Sequence, residues 1–253
     1  MARIVATKRQ ELAVPPPIAQ WEGEAELRLA TRRDFRAALA ANAPAIIAEV
    51  KKASPSKGVL SAHFDPPAIA SAYQQGGAAA LSVLTDASYF QGSLADLQAA
   101  RAAVTIPVLR KDFTISTTQI LEAAANGADA ILLIAAILTE RELRDFREAA
   151  ARYKLSALVE VHDRPELDRA IASGATLIGV NNRNLRTFEV TLATSLELAR
   201  HMPAGALLVS ESGIATPADI AQLRAAGYSA FLVGEHLMKS PDPAQALRAL
   251  VAA

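Results

Sequence analysis

Eight times along the chain, a short run of β-branched and other apolar residues is followed by a longer polar or amphipathic stretch. No other feature restricts the fold as much. The runs cover residues 45–50, 81–85, 107–109, 130–135, 157–161, 176–180, 206–209 and 230–233. Each is almost continuously apolar rather than alternating, as parallel strands covered on both faces are. The segments between them carry helical spacing: Leu143, Phe146 and Ala150 within Thr139 to Tyr153, and Ile220 and Leu223 within Thr216 to Ala226. Thr139 with Glu142, and Thr216 followed by Pro217, mark helix starts. Gly77, Gly127, Gly174 and Gly227 each stand just before a strand, where a helix ends in a left-handed cap that glycine adopts freely.

The repeat unit is therefore one strand plus one helix, and eight of them suit an α/β fold closed as a (β/α)8 TIM barrel. A doubly wound open sheet is the alternative, but it usually has fewer strands, and no Gly-x-Gly-x-x-Gly follows the first run. At 253 residues the chain matches a single barrel of about 250. It reads as one domain over 1–253, of which 1–44 form an N-terminal helical extension containing Pro15-Pro16-Pro17, Trp21 and a helix predicted over Thr31 to Ala41. Lys52 to Asp65 is read as the only other long connection, rich in Ser, Pro and Gly and a candidate lid.

Twenty-six basic and 26 acidic side chains cancel, so no overall field draws the chain to nucleic acid or an anionic membrane. Without cysteine there are no disulfides, thiolate metal sites or thiol nucleophile, which fits a cytoplasmic setting. Met1 to Val14 has no apolar stretch long enough for a signal or a membrane span. His63, His162, His201 and His236 are scattered without metal-ligand spacing, so no metal is expected and each is read as a surface or capping residue. Ser54 and Ser56 have no evident histidine base, and there is no Gly-x-Ser-x-Gly elbow.

Charged residues concentrate at the C-terminal ends of the strands, where the catalytic groups of barrels converge. In 45–51 the alternation puts Glu49 and Lys51 on one side above Ile47, with Val50 facing the helices. Lys111 follows Leu109, Glu160 precedes His162, Asn181 and Arg183 share a side, and Glu211 and Ser212 follow the seventh run. Buried charge is costly unless compensated, so polar endings on five strands point to a site rather than to isolated ion pairs. Ser212-Gly213-Ile214-Ala215-Thr216-Pro217 and Gly234-Glu235-His236 follow the last two strands, where barrels often hold phosphate.

With these motifs in order, the chain resembles the indole-3-glycerol-phosphate synthase family along essentially its whole length. The resemblance rests on Ile47-Ala48-Glu49-Val50-Lys51-Lys52-Ala53-Ser54-Pro55-Ser56-Lys57-Gly58, Leu84-Thr85-Asp86 with Phe90-Gln91-Gly92-Ser93, and Leu109-Arg110-Lys111-Asp112-Phe113. It continues through Val159-Glu160-Val161-His162, Gly179-Val180-Asn181-Asn182-Arg183-Asn184-Leu185 and Val209-Ser210-Glu211-Ser212-Gly213-Ile214. Glu235-His236 stand where small residues are frequent in the family, a departure that leaves the backbone donors intact.

The resemblance implies ring closure, decarboxylation and dehydration of 1-(2-carboxyphenylamino)-1-deoxyribulose 5-phosphate to indole-3-glycerol phosphate, with no cofactor because an iminium-like intermediate accepts the electrons. It implies Lys111 as acid at the ketone and Lys51 as partner of the substrate carboxylate and acid in dehydration. Glu49 and Glu160 share the stabilisation of positive charge and the remaining protons, in an order left open. Asn181 is implied at the reacting hydroxyl and Arg183 at the anthranilate carboxylate. Ser54, Gly213, Gly234 and Glu235 are implied at phosphate, and Glu211 and the catalytic candidate Ser212 at the border. Phe113 and Leu132 would wall the aromatic ring, although core packing accounts for them equally. A monomer acting on a small phosphosugar is expected. Two other readings are another phosphosugar barrel, such as phosphoribosylanthranilate isomerase, which the two lysines and two glutamates oppose, and a non-catalytic ligand-binding barrel.

Overall fold

The computed structural model describes residues 1–253 except Ser56, Ala62 and Arg186, so two positions of the candidate lid lie outside the described residues. All eight apolar runs form strands: β1 (Ala45–Val50), then, after the short hairpin strands β2 (Ala53–Ser54) and β3 (Gly58–Val59), β4 (Ala80–Leu84), β5 (Val108–Lys111), β6 (Ala130–Ile134), β7 (Ser156–Val161), β8 (Leu177–Asn181), β9 (Leu207–Glu211) and β10 (Ala230–Val233). They pair in parallel in the order β1-β10-β9-β8-β7-β6-β5-β4, and β1 also pairs with β4, so the barrel is closed. The ends of β5, β8 and β9 run further than the apolar pattern suggests. Lys111, Asn181 and Glu211 are ladder residues, held by the sheet rather than by loops.

Each strand has two apolar faces. Ile46, Ala48 and Val50 of β1 join the layer between sheet and helices, whereas Ala45 and Ile47 join Leu109, Leu132, Leu158, Val209 and Leu232 inside the barrel. The outer layer contains α4 (Pro66–Gln75), α5 (Ala87–Phe90), α6 (Leu94–Ala102), α7 (Thr117–Ala125), α8 (Glu140–Arg152), α9 (Arg164–Ala172), α10 (Ala193–Ala199), α11 (Pro217–Ala225), α12 (Glu235–Lys239) and α13 (Pro243–Val251). Thr139 and Thr216 close capping boxes with Glu142 and Asp219, satisfying amides that would otherwise lack partners. Gly77, Gly127, Gly174 and Gly227 all have φ between 82° and 103°, as their position before a strand requires.

The extension begins with α1 (Ala2–Glu11), α2 (Ile18–Arg28) and α3 (Phe35–Ala41). The helix predicted over Thr31 to Ala41 is shorter than that: a 3-10 turn ends at Thr31, Asp34 caps α3, and the residues between are used otherwise. Arg32 donates to the carbonyls of Ala124 and Tyr153, and Arg33 to those of Arg101 and Ile106, while the Arg33 amide meets Asp129. Phe35 and Leu39 of α3 are fully buried in the barrel-interior cluster beside Ala45, Ala80, Ala130 and Ala230, which begin their strands, so α3 plugs the N-terminal end. The 52–65 segment is not the only other long connection. The connection from β8 to α10 spans 182–192, as long as many lids, and is pinned by an antiparallel bridge between Arg183 and Val190.

Candidate active site

The C-terminal ends of the strands surround a cavity of about 950 Å³, and every predicted site residue lines it. Strand geometry explains why. Residues two apart on one strand share a face, so Glu49 and Lys51 point the same way, as do Asn181 and Arg183.

The centre of the cavity is a mesh of lysines and carboxylates. Lys111 Nζ donates to Glu160 Oε2 at 3.1 Å and Glu211 Oε2 at 3.2 Å, and Lys51 Nζ donates to Glu49 Oε1. Burial alone would lower the Lys111 pKa, but Glu160, Glu211 and Glu49 together outweigh it and hold the ammonium above its usual range. Glu160 is also buried, yet Lys111, His162 and a hydrogen bond with Asn181 keep its carboxyl below the usual range. Glu211 goes the other way. Burial, reinforced by the Glu160 and Glu49 charges, overrides Lys111 and pushes it up to about 7. Its Oε1 is buried without a hydrogen-bond partner among the described residues. Two carboxyls that share one lysine thus have separated proton affinities, the arrangement expected where one site handles both acid and base steps.

Two glycines make room for these carboxylates. A Cβ on Gly179 would collide with the Glu211 carboxylate, and one on Gly234 with that of Glu49. Gly234 is therefore required beneath Glu49, a demand that its reading as a phosphate-loop glycine did not include. Ser212, at φ 66°, and Gly213, at 79°, form a left-handed pair after β9; Ser212 is not glycine, so its backbone is strained at the cavity wall.

On one side, Leu84, Phe90, Phe113, Leu132 and Ile134 form an apolar slot, with the Phe90 and Phe113 rings 6.2 Å apart. On the other, Lys239, Lys57 and Arg183 approach Glu235 at 2.6, 3.7 and 3.8 Å, which keeps its carboxyl below the usual range. The Glu235 side chain is thus occupied in gathering cations. Ser54 lines the mouth next to Pro55 and Leu60.

The family model for indole-3-glycerol phosphate synthase matches residues 1–250. The chain belongs to the indole-3-glycerol phosphate synthase family. Relatives of that name include one from Aromatoleum aromaticum, 52% identical and covering 98% of this chain and 97% of its own length. One from Koribacter versatilis is 53% identical over 98% and 97%. Among solved structures, a 3-hexulose-6-phosphate synthase superposes with a TM-score of 0.65 over 82% of this chain and 98% of its own, at 14% identity, a likeness of fold alone.

Some of the residues around the cavity of this indole-3-glycerol phosphate synthase family member were not anticipated. Met1, which caps α1, and Arg3 and Ile4 within it lie across the mouth, where Tyr89 hydrogen-bonds Thr7 at 2.9 Å. Lys8 anchors that roof. It is buried and sits 2.9 Å from Asp86 and 3.0 Å from Asp112. His162, read as a surface or capping residue, is instead largely buried, with Nδ1 2.9 Å from Glu166 and Nε2 3.4 Å from Glu160. The sequence did hold a signal for it: Glu166 falls at the third position of a helix that Asp163 caps, within reach of the preceding turn.

Proposed function

We propose that the cavity converts 1-(2-carboxyphenylamino)-1-deoxyribulose 5-phosphate to indole-3-glycerol phosphate, with Lys111 as the acid of ring closure. The observation that carries this reading is a lysine buried between two carboxylates, at the foot of an apolar slot and opposite a cluster of cations. The anthranilate ring lies in the slot. Its carboxylate meets Lys51 and Arg183, and the phosphate lies near Ser54, Gly213 and the start of α12, where Lys57 and Lys239 add positive charge.

As the ring carbon that bears the carboxylate attacks the sugar ketone, a carbon–carbon bond forms and the carbonyl electron pair takes the Lys111 proton. Carbon dioxide then leaves, and its electron pair restores the aromatic ring. In dehydration the hydroxyl leaves as water with a proton from Lys51, while a carboxylate, Glu160 or Glu49, removes the proton from the adjacent carbon. Asn181 orients the hydroxyl, and Ser212 and Glu211 border it. Two protons are given and one is taken back, so each turnover draws one proton from solvent.

The chain acts as one domain and a monomer in the cytoplasm, with the 52–65 loop closing over substrate; among the described residues no helix is long and apolar enough to cross a membrane. The test is Lys111→Met, which keeps the stem and removes the proton. The kcat should fall by about 10² to 10⁴, with little change in KM. A folded variant with near-normal kcat would move the acid role to Lys51.

A further inference from the structure

The proton drawn in at each turnover needs a path, and Lys111 is largely buried, with bound substrate filling the cavity that it faces. Glu160 uses its two oxygens on different partners: Oε2 accepts from Lys111, and Oε1 lies 3.4 Å from His162 Nε2. Nε2 is buried and makes no hydrogen bond among the described residues, so a small ring rotation brings the two into bonding distance. On its far side, His162 Nδ1 is 2.9 Å from Glu166 Oε2, which also accepts from the His162 backbone amide and so fixes the carboxylate.

His162 and Glu166 do not line the substrate cavity. They line a second one of about 740 Å³, between the start of α9 and the 182–192 loop. Among the described residues the two cavities share only Met1, Asn181, Arg183 and Leu185, whereas Glu160 faces the first alone. The side chains of Glu160 and His162 therefore bridge two separate spaces.

We propose that Lys111 regains its proton through a relay of Glu160, His162 and Glu166 that leaves the barrel sideways into this second cavity rather than through the substrate mouth. The imidazolium gives its Nε2 proton to Glu160 Oε1. The carboxyl so formed turns about its Cγ–Cδ bond, carrying the proton from the His162 side to the Lys111 side, and gives it to the Lys111 amine, which restores carboxylate and ammonium. The neutral ring, turned by a half rotation about χ2, then presents the vacated nitrogen to Glu166 and the cavity water for the next proton. The surroundings suit this cycle. Burial would lower the histidine pKa, but Glu166 from α9, Glu160 from β7 and Glu211 from β9 together raise it above its usual range, and Asp163 adds a carboxylate to the cavity wall, so the charged ring is favoured there.

This rests on Lys111 as the ring-closing acid and on Glu49, the partner of Lys51, as the base of dehydration, which leaves Glu160 free for the relay; the experiment keeps the acid assignment and the relay apart. His162→Gln in the full chain retains polarity but cannot carry a proton through. With enzyme in excess over 1-(2-carboxyphenylamino)-1-deoxyribulose 5-phosphate, the first turnover, followed by indole fluorescence, begins from charged Lys111 and should stay within about twofold of the unaltered chain. Under multiple turnover in dilute buffer, kcat should fall by about tenfold or more and recover on addition of imidazole. Glu166→Gln, which keeps a carbonyl for the His162 amide, should shift multiple turnover in the same direction. An unchanged kcat in dilute buffer would overturn the relay, and so would a first turnover that falls as much as kcat without imidazole rescue, which would make His162 only a positioning residue. Lys111→Met reports separately: if its first turnover survives, the acid assignment fails whatever His162 does.

Discussion

Glu211→Gln should make the protein more stable and less active, by amounts that depend on pH. Glu211 is buried, lacks a partner for Oε1, and has its pKa pushed up to about 7 from 4.5. In the unfolded chain it ionises above about 4.5, whereas the folded chain holds its proton until about 7. The folded state therefore binds more protons between those values, and stability falls as pH rises. A shift of about 2.5 units corresponds to about 3 kcal/mol at about 1.4 kcal/mol per unit. Glu160 and Glu211 share Lys111 and titrate together, so 3 kcal/mol is a ceiling for Glu211 alone. Glutamine has no proton to lose. In urea unfolding between pH 4.5 and 8, its stability relative to the unaltered chain should climb steadily, by up to about 3 kcal/mol, and level off above about pH 7. Assays on the same samples should show reduced kcat, because Lys111 loses one of the two carboxylates that orient it. A stability difference that stays flat across this range, within about 0.5 kcal/mol, would refute the reasoning and mean that Glu211 ionises normally inside the barrel.

Two further substitutions test the surroundings of the mesh. Lys8→Met leaves Asp86 buried without its ammonium, while Asp112 keeps Arg110, which should cost about 3 kcal/mol in urea unfolding and raise KM as α1 loosens; a loss below about 1 kcal/mol would mean that the anchor is dispensable. Gly234→Ala puts a methyl group into the Glu49 carboxylate, so kcat should drop by about 10 to 10². If only KM rises, Gly234 serves the phosphate and not Glu49.

The barrel was legible because its signals are local and repeated. Apolar runs define strands, and Thr139, Thr216 and the pre-strand glycines define helix ends whatever lies nearby. The inward residues followed from alternation: once β1 is a strand, Glu49 and Lys51 must share a face. What stayed hidden depends on contacts distant in sequence. Nothing near Arg3 or Ile4 says that α1 will lie over strands that begin more than 30 residues later, and Lys8 looks like an ordinary helix lysine until Asp86 and Asp112 surround it. The helix start at Phe35 was misplaced because Arg32 and Arg33 have good helical propensity, which their hydrogen bonds to five carbonyls override. The 182–192 loop escaped notice because it contains no glycine or proline.

In most barrels of this kind the two ends are independent: one face can be rebuilt for new chemistry while the other keeps the scaffold standing. Here a single strap of 44 residues seals the bottom with α3, leans along the side through α2 against α7, and covers the top with α1. Thermal loosening of the floor is thereby transmitted to the ceiling, and heat inactivation should precede loss of the sheet. A designer who grafts these catalytic loops onto a barrel without the strap would move the reacting groups across but leave their roof behind.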